Sequence, residues 1–130
     1  MPHILLVEDS EMVADALRET LELEGWQVET CADGLAALRL IESVAHFDLL
    51  LLDNELPRVS GLNLTRYARM LAHRRHTPVV LISASECGTE AQRAGADAYL
   101  RKPQDVRGVV EIIARLLAAS TTERGGASAS

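Results

Sequence analysis

Two unbroken runs of four aliphatic residues, Ile4-Leu5-Leu6-Val7 and Leu49-Leu50-Leu51-Leu52, constrain this chain more than any other feature. A strand with one solvent face alternates apolar and polar residues. A run without alternation reads as a strand covered on both faces, as in a parallel sheet. Both runs end in acid: Glu8 and Asp9 follow the first, and Asp53 follows the second. Open α/β folds bind their ligands at the carboxyl ends of such strands. Three like charges gathered in a partly dry crevice repel one another and call for a cation between them. A divalent ion that prefers oxygen ligands meets that demand.

The remaining segments alternate. Ser10 is positioned to cap a helix running to about residue 23, with Val13, Ala14, Leu17 and Leu21 on one face and Glu24-Gly25 as its end. Residues 27–30 read as a short strand and Asp33-Gly34 as a turn, before a helix with Leu35, Leu38, Ile41 and Ala45 as its stripe. Pro57 and Gly61 bracket a loop, and a third helix carries Leu62, Leu64, Ala68 and Leu71. A fourth strand is predicted over 79–82, a weak helix over 89–94 closed by Gly95, and a fifth strand over 98–101. Asp105 is placed to cap a last helix bearing Val106, Val109, Val110, Ile113, Leu116 and Leu117. Strictly alternating strands and helix-sized crossovers predict right-handed βαβ units in a doubly wound α/β sheet.

At 130 residues, with 48% hydrophobic and 25% charged content, the chain suffices for one compact domain. Its net charge of −6 argues against direct nucleic-acid binding. Arg66, Arg69, Arg74 and Arg75, with His73 and His76 among them, read as the solvated face and end of the third helix. Trp26 and Phe47 read as core-boundary residues, and Cys31 and Cys87 as reduced thiols without metal or redox spacing. The first apolar run is too short for a signal peptide, and no segment approaches a membrane span, so a soluble, cytoplasmic protein is expected. Residues 120–130 are small and polar; they are expected to form a flexible tail or the start of a linker after a domain spanning 1–119.

Ser83-Ala84 follows the fourth predicted strand and Lys102-Pro103 the fifth. If the first, third, fourth and fifth strands lie side by side, three acids, a hydroxyl and an ammonium share one rim. Phosphoryl transfer to a carboxylate needs that set: an attacking acid, a metal held by the others, and cationic and hydroxyl groups on the phosphoryl oxygens.

Glu8-Asp9, the stretch Asp53-Asn54-Glu55-Leu56-Pro57-Arg58-Val59-Ser60-Gly61, Ser83-Ala84 and Tyr99-Leu100-Arg101-Lys102-Pro103 resemble the signatures of response-regulator receiver domains. The resemblance spans residues 3 to about 118. It implies a flavodoxin-like (βα)5 fold with strand order 2-1-3-4-5. It implies that Asp53 is the phosphoacceptor, that Asp9 and Glu8 hold Mg²⁺, and that the backbone carbonyl of Glu55 completes the protein's share of an octahedral site with Asp53. Lys102 would pair with Asp53 and then with the phosphoryl group, Ser83 would move toward a phosphoryl oxygen, and Tyr99 would change rotamer in response. The implied partners are a histidine kinase or phosphotransfer protein and a downstream protein or output domain. No external substrate would be turned over, so the domain is not read as an enzyme.

Two departures from the family pattern stand out. The stretch from Ser83 to Lys102 is shorter by about three residues, close to one helical turn. Thr89 and Gln92 form a plausible capping box, so the fourth helix is expected to be shortened to about one and a half turns, and the protein to be a monomer or weak dimer. The second departure is Glu55, an added acid whose side chain can approach the phosphoryl group. Three other functions compete. A phosphorylation-independent receiver module would need none of the acid, hydroxyl and lysine set. A small Mg²⁺-dependent phosphatase would use Glu55 as its second acid but has no cap domain here. A nucleotide- or flavin-binding module lacks a Gly-rich phosphate loop.

Overall fold

The computed structural model describes the backbone of residues 1–129 and the side chains of 1–103 and 106–120. Five strands, β1 (His3–Val7), β2 (Gln27–Cys31), β3 (Leu49–Asp53), β4 (Val79–Ser83) and β5 (Ala98–Arg101), pair in parallel in the order β2-β1-β3-β4-β5. Helices α1 (Glu11–Glu22), α2 (Gly34–Glu42), α3 (Gly61–Met70), α4 (Gly88–Ala94) and α5 (Val109–Ala129) alternate with them. The expected doubly wound α/β fold and strand order are present.

The aliphatic runs are covered on both faces, and their period of two divides the core in two. Leu5, Val7, Leu50, Leu52, Val79 and Leu81 pack with Ala37, Ile41, Leu64 and Ala68 of α2 and α3. Ile4, Leu6, Leu49, Leu51, Val80 and Ile82 pack with Ala14, Leu17 and Leu21 of α1 and Val109 and Ile113 of α5. Each fully buried aliphatic side chain contributes about 1.5–3 kcal/mol. β2 lies at the edge, and none of its residues is fully buried.

Register fixes the functional rim. Val7 stands opposite Leu52, Asp53 opposite Ile82, and Ser83 opposite Arg101. Glu8 therefore leaves β1 level with Asp53, Ser83 lies one residue further along the rim and Lys102 two. Side-chain caps start three of the helices: Ser10 accepts from the Val13 amide, Asp33 from Ala36, and Ser60 from Asn63.

Several local expectations are corrected. α2 turns Ala37 and Ile41 inward, while Leu35 and Leu38 are half-buried and Ala45 lies beyond the helix end. α4 is short as expected, at seven residues, but Thr89 does not cap it. Its N-cap is the buried Cys87, and the Gly88 amide donates to Glu86 Oε1 at 2.9 Å, so the helix starts one residue earlier. A 3₁₀ turn over Gln104–Gly108 precedes α5, and the expected Asp105 cap falls on a side chain outside the described residues. The backbone of α5 is helical over Val109–Ala129.

The arginine cluster is a solvated face only in part. Arg74 is 2% exposed and lies beyond α3. Its guanidinium donates to the carbonyls of Leu40, Ile41, Ser43 and Ala45 and sits 5.0 Å from the Phe47 ring centroid. The carbonyls left open at the C-terminus of α2 find their donors there. Arg69 ties α3 to the neighbouring segments through Gly95 O, Thr77 O and Asp97. Arg66 and Arg75 are exposed as expected.

Candidate functional site

The carboxyl rim of the sheet brings Glu8, Asp9 and Asp53 together, with one oxygen from each lying within 4.8 Å of the others. Glu8 and Asp53 are each 3% exposed, whereas Asp9 faces solvent. β1 and β3 position them: a fully buried strand carries its last side chain into a crevice rather than into water. The loop after β3 is closely packed. Asn54 Oδ1 accepts the Leu62 amide, and a Cβ on Gly61 would come within 2.5 Å of the Asp53 carbonyl oxygen, so only glycine lets α3 begin against the end of β3.

Lys102 bridges the acids. Its ammonium lies 2.8 Å from Glu8 Oε1 and 3.3 Å from Asp53 Oδ2, after a cis Lys102–Pro103 peptide bond. The expectation was a pairing with Asp53, and the shorter contact goes to Glu8. The two carboxyls also differ in how readily they ionise. Burial, the hydrogen bond that the protonated Asp53 carboxyl donates to Glu8, and the charge of Glu8 push the Asp53 carboxyl up to about 7. Burial also acts to raise Glu8, but hydrogen bonds from Asp53 and Lys102 outweigh it and hold Glu8 below its usual range. Lys102 is pulled down by burial, yet Glu8 and Asp53 hold it above the usual lysine range. The more anionic partner takes the closer contact.

The donor chemistry suits Mg²⁺. Three carboxylates converge on one point in a mouth open to water, and a hard ion that keeps several waters needs few protein ligands. The raised Asp53 carboxyl marks a charge deficit that a cation at this point would relieve.

Ser83 is fully buried and closes the rim from β4. Its hydroxyl donates to Glu55 Oε2 at 2.6 Å, and the Ala84 amide donates to Glu55 Oε1 at 2.7 Å. The Glu55 amide in turn donates to Asp53 Oδ1 at 3.1 Å. Tyr99, half-buried on β5, donates its hydroxyl to the Ser85 carbonyl at 2.7 Å. Glu8, Asp9, Asp53 and Lys102 thus come together, Ser83 joins them through Glu55, and Tyr99 stands further off at Ser85. The sequence reading left open where the Glu55 side chain lies, and it gave the Ala84 amide no role. A residue two positions past a strand end could have flagged Glu55 as a rim group, but no pattern specifies which donors it takes.

Residues 4–114 match the model of the response regulator receiver domain. The chain belongs to this family. A polar-differentiation response regulator from Brucella ovis, DivK, is 34% identical over 113 residues, covering 85% of this chain and 91% of that protein. Among solved structures, a CheY-like receiver domain protein from Methanospirillum hungatei superposes with a TM-score of 0.86 at 31% identity, covering 95% of this chain and 98% of that one. The receiver domain of a sensor histidine kinase from Pseudomonas aeruginosa, solved with magnesium in its active-site cleft, superposes with a TM-score of 0.80 at 30% identity. That match covers 90% of this chain and 98% of that one. Receiver domains are signalling domains of two-component systems. No helix among the described residues is long and apolar enough to cross a membrane.

Proposed function

We propose that this receiver domain accepts a phosphoryl group on Asp53 from a phosphohistidine of a histidine kinase or phosphotransfer protein, with Mg²⁺, and thereby shifts between two conformations that a downstream protein or output domain reads. The convergence of Asp53 with Glu8, Asp9 and Lys102 at one rim carries this reading. Asp9 and Glu8 would hold the ion together with Asp53 and the Glu55 carbonyl. When bound, Mg²⁺ supplies positive charge that favours ionised Asp53 and neutralises the incoming phosphoryl oxygens.

The chain's own residues do the rest. An Asp53 oxygen attacks phosphorus in line, forming the P–O bond as the P–N bond breaks and its electron pair returns to the imidazole. Lys102 stays within reach of the oxygens that gain charge, and the Ser83 hydroxyl and Ala84 amide face the same side as donors. The Tyr99–Ser85 hydrogen bond gives the rim a route to the surface of β5. No external substrate is turned over. We assign the domain to residues 1–119, with 120–130 as tail or linker, acting in the cytoplasm without direct nucleic-acid contact.

Incubation with Mg²⁺ and acetyl phosphate should add one phosphate by intact mass. D53N should abolish the adduct, and K102A should reduce it by tenfold or more, the scale of one lost charge-assisted contact. An adduct that persists in D53N would move the phosphoacceptor elsewhere.

A further inference from the structure

Glu55 differs from the other acids of the rim. Its two carboxylate oxygens hold two separate donors at the end of β4, the Ser83 hydroxyl and the Ala84 amide. Glu55 is itself exposed, whereas Ser83 is fully buried. Behind Ser83 the hydrogen bonds continue. The Ser85 amide donates to Ser83 Oγ at 3.1 Å, and the Ser85 carbonyl accepts the Tyr99 hydroxyl. One exposed carboxylate therefore terminates a chain of contacts that runs from the rim to β5.

A hydroxyl has one proton to donate, and so does a backbone amide. The Glu55 amide is bonded to Asp53 Oδ1, and Asp53 pairs with Ile82, the residue before Ser83. A phosphoryl group on Asp53 would therefore add acceptor oxygens and negative charge on the strand next to these two donors. Glu55 and the phosphoryl oxygens cannot hold both donors at once, and the two anions repel each other at this range.

We propose that Glu55 is a resident, intramolecular occupant of the anion contacts at Ser83 and Ala84, released to solvent when Asp53 is phosphorylated. The proposal rests on the phosphoacceptor reading of the same site and adds its regulation. Release is cheap because the Glu55 side chain already faces water and is rehydrated as it leaves. Two consequences follow. The segment from Ser83 to Ser85 is ordered before modification, and the phosphoryl group binds its donors against a competitor.

The test compares wild type with E55A, E55D and E55Q by two measurements. The first is the Ala84 amide proton shift in protein free of Mg²⁺. The second is the apparent affinity for beryllofluoride, a phosphoryl analogue, at saturating Mg²⁺. In E55A and E55D the Ala84 amide should move upfield, and beryllofluoride should bind about tenfold tighter, the order expected for removing a charge-assisted competitor. E55Q, which keeps the shape without the charge, should fall between. E55D is the control for simple repulsion, because it keeps the charge but is one methylene too short to hold both donors.

An Ala84 amide that does not move in any variant would overturn the proposal. So would an amide that moves while E55A affinity stays unchanged or weakens. If E55A alone binds tighter and E55D behaves as wild type, repulsion replaces competition and the proposal is wrong. If the amide moves but neither wild type nor any variant binds beryllofluoride, the phosphoacceptor reading fails, and the release step fails with it.

Discussion

Asp53 is the residue whose surroundings most change its chemistry. Its carboxyl is pushed up from 3.8 to about 7, first by burial and then by Glu8. Between about pH 4 and about pH 7 the folded protein keeps a proton that the unfolded chain has released. Unfolding free energy therefore falls as pH rises through this window. Each pKa unit corresponds to about 1.4 kcal/mol, so the loss is on the order of 3 kcal/mol from about pH 4.5 to about pH 7. The Glu8 shift runs the other way and acts below that window, since its folded value lies under 4.5. Urea unfolding in chelator should follow this slope, D53N should flatten it, and added Mg²⁺ should restore most stability near neutral pH. A wild type with no slope would contradict the placement of the proton on Asp53. The site's acids, Ser83 and Lys102 were legible because each ends a strand, and strand ends can be read from hydrophobic runs. The closer pairing of Lys102 with Glu8 was not, because it depends on how β5 and β1 are set around β3 in the assembled sheet.

Elements are joined by contacts that local sequence does not announce. Arg74 was read with its neighbours as solvated helix surface, because a run of basic residues after an amphipathic helix ordinarily is. In the fold, α3 stops at Met70 and the following turn folds Arg74 under the end of α2, where it donates to four carbonyls. The Leu40 carbonyl also accepts from Ser43, and the Ser43 carbonyl contacts His73. R74A therefore strips the donor from the Ile41 and Ala45 carbonyls and removes the cation from Phe47, for an expected loss of about 2–4 kcal/mol. R74K should recover only part of it, since an ammonium lacks the planar fork. Denaturant unfolding measures both, and acetyl phosphate labelling of the folded fraction should remain normal. A loss under about 0.5 kcal/mol, the range of ordinary surface substitutions, would return Arg74 to the surface reading. For α4 the sequence carried the right end, at Gly95, but a start one residue late. Thr89 and Gln92 satisfy a capping pattern, yet burial of Cys87 and the reach of Glu86 to the Gly88 amide decided the first turn.

At the level of the whole molecule, α4 occupies seven residues, or about 10 Å of helix. A face built from α4, β5 and α5 is correspondingly small, so the protein should remain a monomer or weak dimer when beryllofluoride and Mg²⁺ are bound. Sedimentation velocity at micromolar concentration checks this, and a tight dimer through that face would show that the short helix does not limit association. The sequence by itself determined the layered α/β fold, since short uninterrupted aliphatic runs alternate with helical stripes as doubly covered strands do, and it determined the acids that end them. Only the tertiary structure decided what those acids and their neighbours touch. Glu8 and Lys102 are 94 residues apart, and Glu55 and Ser83 are 28. Hydrophobic burial is set by each residue's own type and can be read along the chain. A hydrogen bond or a shared proton is set by distances of a few ångströms between elements, which exist only once the sheet has brought its strand ends to one rim.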